Sequence, residues 1–547
     1  MYVRVKTTPN SPRKSVQIVE GKRIDGKVKQ KIVRHVGIAT DDDELERLQD
    51  VAAYILAKME AETKSILPFA TVESTAKTII EARKKKQSGK DLNVNLINFQ
   101  EKERVNIGFH EVYGSIFDEL GFNRLLGSRR KSSQNVLRDV VMARLAKPQS
   151  KLSTAKNLSA NFGIETNVNK IYRMLDYLDE KAIDKVMEFA SSATTDILKE
   201  KLDVLFFDCT TLYFESFTED DLRQKGFSKD HKSAETQVLL ALLVTQEDMP
   251  VGYRVYPGST WEGNTLREIQ TDISKIAPIG RAILVADSGL LNKANIKHCE
   301  QVGQKFILAA RIKNLPATIT KEILNRKNYS FNKDGTGYFE TEYQGKRLIL
   351  SYSPKRARKD ADDRDKQLHK IKKRYANKSC KTTLHGKAAK YLKIAGEGKL
   401  LLNEQAIAND ASWDGLHGLI TNVEDLNQKE LLEQYRGLWQ VEATFRLSKH
   451  DLRMRPIFHW TQRRIKAHIA VCFMALTCMR HFMYQCSLRY KALSAEVIRL
   501  ELEQAQISVF EDTSNKNQYA LPSKSGVHTE RLFKLVGKQF PKKPFKI

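Results

Sequence analysis

The chain has 547 residues, enough for several domains and at least one large buried core. With 41% hydrophobic and 29% charged residues, its composition excludes a disordered chain. Its 92 Lys and Arg outnumber 66 Asp and Glu by 26, an excess that points to a polyanionic partner, nucleic acid being the commonest. The six cysteines (Cys209, Cys299, Cys380, Cys472, Cys478, Cys486) form no CxxC pair and have no metal-ligand spacing, so they read as reduced thiols of a cytoplasmic protein. The opening MYVRVKTTPNSPRK has no apolar stretch, which argues against a secretory signal there. The most apolar segment, Ile469 to Met483, is short and accompanied by Lys466, His468 and Arg480, so a buried core helix is expected and no membrane contact.

In chain order, SVQIVEG (Ser15–Gly21) and QKIVRHVG (Gln30–Gly37) are β-rich runs joined through a turn-forming Asp25-Gly26, a small β unit. A helix is predicted next, with Thr40 as N-cap and Leu45, Leu48, Ala52, Ile55 and Met59 on one side. The basic stretch Ala82–Asp91 reads as a linker or an exposed connection. From Glu111 to Ser192 the pattern is helical, with stops at Gly121 and Gly127. Short helices broken at Pro148 there are compatible with a helix-turn-helix, although most such pairs never touch DNA.

The pattern changes at residue 203. DVLFFD and LYFES read as strands, followed by QVLLALLVTQ (Gln237–Gln246) and PVGYRVYPG (Pro250–Gly258). A helix over Asn264–Ala277, the strand RAILVAD, a helix over Asn292–Val302 and the strand KFILAAR come next. Continuous apolar strands separated by helices mean a sheet covered on both faces, and this order is that of a ribonuclease-H-like fold. Residues 313–410 interrupt it with a hairpin turning at Gln344-Gly345 and a segment, Lys355–Arg374, whose ten Lys/Arg against four Asp leave +6. That run is either a solvated helix face or a contact to a DNA backbone. HGLITN (His417–Asn422) resumes the sheet, and one long helix is predicted over Gln428–His450.

Three carboxylates stand out against this order. Asp208 and Asp287 each close an apolar strand, and Glu442 lies in the long helix. Taken singly, a strand-end Asp more often caps a turn and a helical Glu is usually solvated. Together, in this fold order, they can converge on two divalent cations. Oxygen ligands suit Mg²⁺, with Mn²⁺ able to substitute, and two ions ~3.5–4 Å apart clamp the attacking and leaving oxygens of a phosphodiester. Tyr435, Glu442 and Lys449 are spaced seven apart, which on one continuous helix gives them a shared face. There is no phosphate-binding P-loop, no GxGxxG and no Ser or Cys nucleophile with partners. His450-Asp451 reads as a helix-end pair, and His35, His110 and His459 as structural or exposed groups.

Around that helix the sequence resembles the insertion-sequence transposases of family four, whose signature is Tyr-x2-Arg-x3-Glu-x6-Lys. Tyr435, Glu442 and Lys449 match it, whereas Leu438 stands at the arginine position. DVLFFDCTTLYFE, GFSKD, VADSGLL, GLITN and LRMRPIFHW…IKAHI are similar to the branch with longer members, and the resemblance covers roughly residues 110–485. It implies a DDE transposase that performs cut-and-paste transposition on double-stranded DNA with terminal inverted repeats, as a homodimer in the synaptic complex. Asp208, Asp287 and Glu442 would be the catalytic metal ligands, and Tyr435 and Lys449 would hold terminal phosphates. Arg446, one turn beyond Glu442, is the expected substitute for the missing arginine, ahead of Arg436, which lies about 100° round from Tyr435.

The expected fold is therefore α/β, a ribonuclease-H-like core with a mostly β insertion domain, preceded by a small β unit and a helical DNA-binding region. Residues 1–110 would form the β unit and helix contacting the DNA ends, and 111–200 the helical region. Residues 201–312 and 411–490 would be the two parts of the core, 313–410 the insertion and 491–547 a basic C-terminal tail. Two other readings share the fold: a catalytically inactive DNA-binding regulator, and a structure-selective nuclease that cuts but never joins ends.

Overall fold

The computed structural model describes residues 1–7, 13–24, 27–63, 94–198, 203–228, 234–276, 282–376, 389–394 and 400–547. They form two compact units, one of residues 1–103, 507–522 and 541–547, the other of residues 104–506 and 523–540.

In the smaller unit, β1 (Tyr2–Thr7), β2 (Lys14–Ile24) and β3 (Lys27–Ala39) make an antiparallel sheet in that order. The helix α1 (Asp42–Thr63) covers it, setting Ala52 and Leu56, with Leu45, Leu48, Ile55 and Met59 around them, on Val16 and Ile18. The expected strands are present and longer, and β1 is a third that sequence periodicity missed. The cap is Asp41 rather than Thr40: its carboxylate accepts the Glu44 N–H at 2.7 Å, while the Glu44 carboxylate accepts the Thr40 N–H and hydroxyl, each at 2.9 Å. This reciprocal arrangement satisfies donors on both sides of the helix start. The Asp25-Gly26 turn and the stretch Ala82–Asp91 lie outside the described residues.

The strand β4 (Phe99–Asn106) shares a four-stranded sheet with three strands from the end of the chain, Gln506–Asp512, Gln518–Pro522 and Phe545–Lys546, and the rings of Phe99 and Phe510 stack at 4.7 Å. The segment 491–547, expected as a tail, is thus folded, and it also holds the helices Ala495–Gln504 and Val527–Leu535. Its apolar residues Val509, Leu532 and Phe533 are buried, which is why it does not behave as a charged tail.

In the larger unit, α2 (Gly108–Glu119), α3 (Lys131–Ala146), α4 (Lys151–Phe162), α5 (Val168–Asp176) and α6 (Glu180–Leu198) form a helical region. Gly121 and Gly127 end helical segments at φ of 81° and 74°, the left-handed region that glycine enters without penalty. Ser150 caps α4 just after Pro148. The 28-residue helix Gln462–Arg489 contains the apolar segment noted in the sequence. It is long and apolar enough to span a membrane by composition, yet Ile469, Val471, Met474 and Phe482 are buried, as in a core helix.

Among the described residues the main sheet has nine strands. β5 (Val204–Tyr213), β6 (Gln237–Thr245) and β7 (Pro250–Pro257) are an antiparallel meander. After α7 (Glu262–Ile276) comes β8 (Ile283–Ala286), parallel to β5, and after α8 (Lys293–Gln301) comes β9 (Phe306–Ala309), parallel to β8. The order β7-β6-β5-β8-β9, with this polarity, is that of a ribonuclease-H-like fold. All nine residues of β6 are buried, the mark of a strand covered on both faces. DVLFFD and LYFES, read as two strands, are largely one: β5 runs unbroken from Val204 to Tyr213.

The main hairpin of the insertion is not a separate sheet. The helix α9 (Ala317–Leu324) and the short strand β10 (Ser330–Phe331) lead into β11 (Gly337–Tyr343) and β12 (Lys346–Tyr352), which turn at Gln344-Gly345 as expected, with φ of 54° and 69°. β12 pairs with β15 (Leu416–Thr421), and β15 with β9, so the hairpin extends the core sheet. The longest element of residues 313–410 is a helix, α10 (Pro354–Ala376), with β13 (Leu392–Ile394), β14 (Leu400–Leu402) and α11 (Glu404–Ala411) after it.

Candidate active site

Asp208 lies in the middle of β5, not at its end as expected. What ends is its neighbour. β8 stops at Ala286, opposite Phe207, so Asp208 is the first residue of β5 beyond the parallel pairing. Asp287 follows directly and caps a single 3-10 turn, its carboxylate accepting the Ser288 N–H at 2.6 Å. Side chains alternate along a strand, and Phe206 and Val285 both face the helix-bundle core. Asp208 and Asp287, two residues on from each, therefore emerge on one face, on adjacent strands ~4.8 Å apart.

Over that face lies the chain that carries Glu442. The long helix expected over Gln428–His450 is divided into α12 (Gln428–Arg436), α13 (Trp439–Arg446) and a π-helical turn, Leu447–Asp451. α12 starts at a capping box in which Asn427 accepts the N–H groups of Lys429 and Glu430, while Glu430 accepts the Asn427 N–H at 2.8 Å. The loop before it is held by Arg347 of β12, which donates to the carbonyls of Val423 and Leu426 at 2.8 Å and pairs with Glu340 at 2.6 Å. The break falls at Gly437, which sits directly on the Phe206 ring of β5. A straight helix with a side chain there could not approach the strand so closely. The seven-residue spacing thus does not lie on one helix: Tyr435 is in the last turn of α12, Glu442 is in the first turn of α13, and Lys449 is in the π-helical turn.

The division still gathers part of the set. The Tyr435 hydroxyl donates to Asp287 Oδ1 at 3.5 Å, a long bond. Burial pushes the Tyr435 phenol well up, and the Asp287 and Glu442 carboxylates push it further, against the opposing pull of Arg356. His417, the second residue of β15, meets the Tyr435 ring at a 41° tilt with ring centroids 5.1 Å apart. Burial lowers His417 to about 4, and Arg356 in the first turn of α10 lowers it too, against the opposing pull of Asp287. His417 and Arg356 were not singled out in the sequence. His417 belongs to the HGLITN run, and Arg356 was one cation among ten in its segment. α13 is fixed from behind by the buried Arg480, which donates to Thr444 Oγ1 at 2.8 Å and pairs with Asp248 at 3.4 Å.

Leu438 is 8% exposed and packs in the main core with Val441 and Phe445, instead of facing a groove beside Glu442. Arg446 is exposed one turn past Glu442, and Lys449 is half-buried. Among the described residues no three carboxylate, His or Cys side chains are already drawn into a cage. Two adjacent aspartates and a nearby glutamate nevertheless offer only hard oxygen donors, the set that suits a divalent cation such as Mg²⁺ or Mn²⁺. Of the six cysteines, the five described are buried and in no disulfide.

Residues 199–478 match the transposase DDE domain family, and residues 3–66 match the N-terminal domain of IS1634 family transposases. The chain belongs to the DDE transposases. It is accordingly an enzyme of DNA cleavage and strand transfer, and that chemistry uses divalent metal ions. No curated protein matches the sequence. Among solved structures, a piggyBac transposase synaptic complex with hairpin DNA is similar at 10% identity and a TM-score of 0.37, over 73% of this chain and 79% of that one. A Mos1 transposase paired-end complex with the left transposon end is similar at 11% identity and a TM-score of 0.15, over 47% and 76%.

Proposed function

We propose that Asp208, Asp287 and Glu442 hold two Mg²⁺ ions and that the enzyme excises and inserts an insertion sequence by cutting at its terminal inverted repeats. The supporting observation is the adjacency of Asp208 and Asp287 on one sheet face, with Tyr435 bonded to Asp287. Bound there, the ions would activate water or a DNA 3′-hydroxyl and stabilise the departing oxyanion. The chain's own groups do the rest. Asp208 and Asp287 present acceptor oxygens from a rigid strand edge. Tyr435 orients Asp287 through its hydroxyl, and Lys449 and Arg446 supply positive charge to the phosphates of the strand end. No side chain is needed as nucleophile. The 26 excess cations supply affinity for duplex DNA, and residues 1–200 carry recognition of the ends. The working form is a cytoplasmic homodimer that pairs two ends.

The test is nicking and gel-shift affinity, measured in parallel on end DNA in Mg²⁺. Asp208→Ala, Asp287→Ala and Glu442→Ala should each abolish nicking and keep specific binding. A variant that nicks near the wild-type rate removes its residue from the ligand set. A strand-transfer assay on pre-cut ends distinguishes a transposase from a nuclease of the same fold.

A further inference from the structure

The basic helix α10 begins at the same edge of the sheet. In the β12–β15 register Ser351 lies opposite His417 and Tyr352 opposite Leu416, and the chain enters α10 two residues later. The Ser353 N–H donates to the Gly415 carbonyl at 3.0 Å, and the Gly415 N–H to the Asp360 carboxylate at 3.0 Å. These bonds tie the first turns of α10 to the start of β15, so Arg356 is held beside His417, whose ring carries Tyr435 and, through its hydroxyl, Asp287. Arg356 Nε lies 3.9 Å from the same Asp360 Oδ2 that accepts the Gly415 N–H, two residues before His417.

Three other arginines of this region are committed. Arg364 grips Asp414 through two 2.7 Å bonds, Arg347 grips Glu340 and the loop carbonyls, and Arg326 lies over the Tyr352 ring at 4.2 Å. Arg356 differs. Among the described residues its ion-pair partner is Asp360, at 3.9 Å and 39% exposed, and its own side chain is 51% exposed. A guanidinium so weakly neutralised, at an edge lined by carboxylates and a phenol, has donors to spare for an anion that arrives with the substrate.

We infer that Arg356 binds a phosphate of the DNA strand lying at the Asp287–Tyr435 edge, the clamp that the buried Leu438 cannot provide. The inference rests on the carboxylate site proposed above. The full-length protein is assayed for cleavage of end DNA in Mg²⁺ as wild type, Arg356→Ala, Arg356→Lys and the neighbouring control Lys359→Ala, with thermal melts to verify folding. A second series carries single methylphosphonates, each neutralising one phosphate around the cut. Arg356→Ala should slow cleavage roughly ten- to hundredfold, the range for a lost hydrogen bond to a charged group. Arg356→Lys should recover part of the rate, and Lys359→Ala should stay near wild type. One methylphosphonate should slow the wild type by a similar factor and cost Arg356→Ala nothing further. Cleavage by Arg356→Ala within twofold of wild type overturns the inference, and so does a deficit that adds equally to every methylphosphonate. Asp287→Ala is run on the same DNA: if it cleaves, the carboxylate site itself is wrong, an outcome distinct from either result at Arg356.

Discussion

Gly437 rests against Phe206: a β-carbon at Gly437 would lie 2.3 Å from Phe206 Cζ. This contact sets how closely α12 and α13 approach the strand that carries Asp208. Gly437→Ala should force the two helices off the sheet, at a cost of ~1–3 kcal/mol typical of overpacking. Cleavage should fall more than stability, because a displacement of Glu442 by a fraction of an ångström disturbs metal binding. Thermal melts and nicking rates would both have to stay at wild-type values for the contact to be unimportant.

Leu438→Arg would restore the family-four signature and should not restore function. Leu438 is buried with Val441 and Phe445, so the guanidinium has to be buried unpaired or push outward. We expect a loss of stability on the order of 2–4 kcal/mol. Arg446→Ala, on the exposed side of α13, should leave stability within ~0.5 kcal/mol and slow cleavage if Arg446 meets a phosphate. A stable, active Leu438→Arg would mean that this side chain reaches the groove after all.

Arg480→Met removes the buried link between Thr444 and Asp248. The methionine fills much of the space but leaves the Asp248 carboxylate and the Thr444 hydroxyl without that donor. The expected loss is ~1–3 kcal/mol, with a parallel fall in cleavage because α13 loses its anchor. Double substitution with Asp248→Asn should be less damaging than the two losses summed; strict additivity in a double-mutant cycle would argue against a direct link.

Stability should decline as pH falls from 7 towards 4. Burial lowers His481 to about 4 and His459 to about 3, and His468 also falls well below its ordinary value. Unfolded histidines protonate near ~6.5. Between that pH and the folded values the unfolded chain binds more protons, so this stability is complete above ~6.5 and lost on acidification. Lys151, lowered to about 7 by burial, has the same sign at higher pH: stability declines as pH drops from about 10.5 to 7. A melting temperature unchanged between pH 7 and 5 would contradict the histidine assignment.

The order of strands and helices was legible in the sequence because buried strands such as QVLLALLVT and RAILVAD are continuous apolar runs, and their spacing fixes which of them can be parallel. Asp208, Asp287 and Glu442 could be named from their positions in that order. Their environment could not. That β5 runs on past Asp208 while β8 stops beside it depends on pairing between strands some eighty residues apart. The seven-residue spacing of Tyr435, Glu442 and Lys449 suggested one straight helix, since periodicity assumes an undisturbed backbone. Phe206, distant in sequence, is what meets Gly437 where that helix breaks. The folded C-terminal segment escaped detection for the same reason: its strands are short and find partners such as β4 only in the folded chain.

Composition, local periodicity and the spacing of charged groups thus determined the class of fold, the basic character and the choice of three candidate carboxylates. Only the tertiary structure decided which cations stand beside them. Arg446 was chosen because four residues make one helical turn, a local rule. Arg356 is eighty-six residues from Glu442 in the chain, and it comes to the edge that holds His417 because β12 pairs with β15 and delivers α10 there. Contacts of that kind depend on long-range register, which no local pattern of side chains encodes.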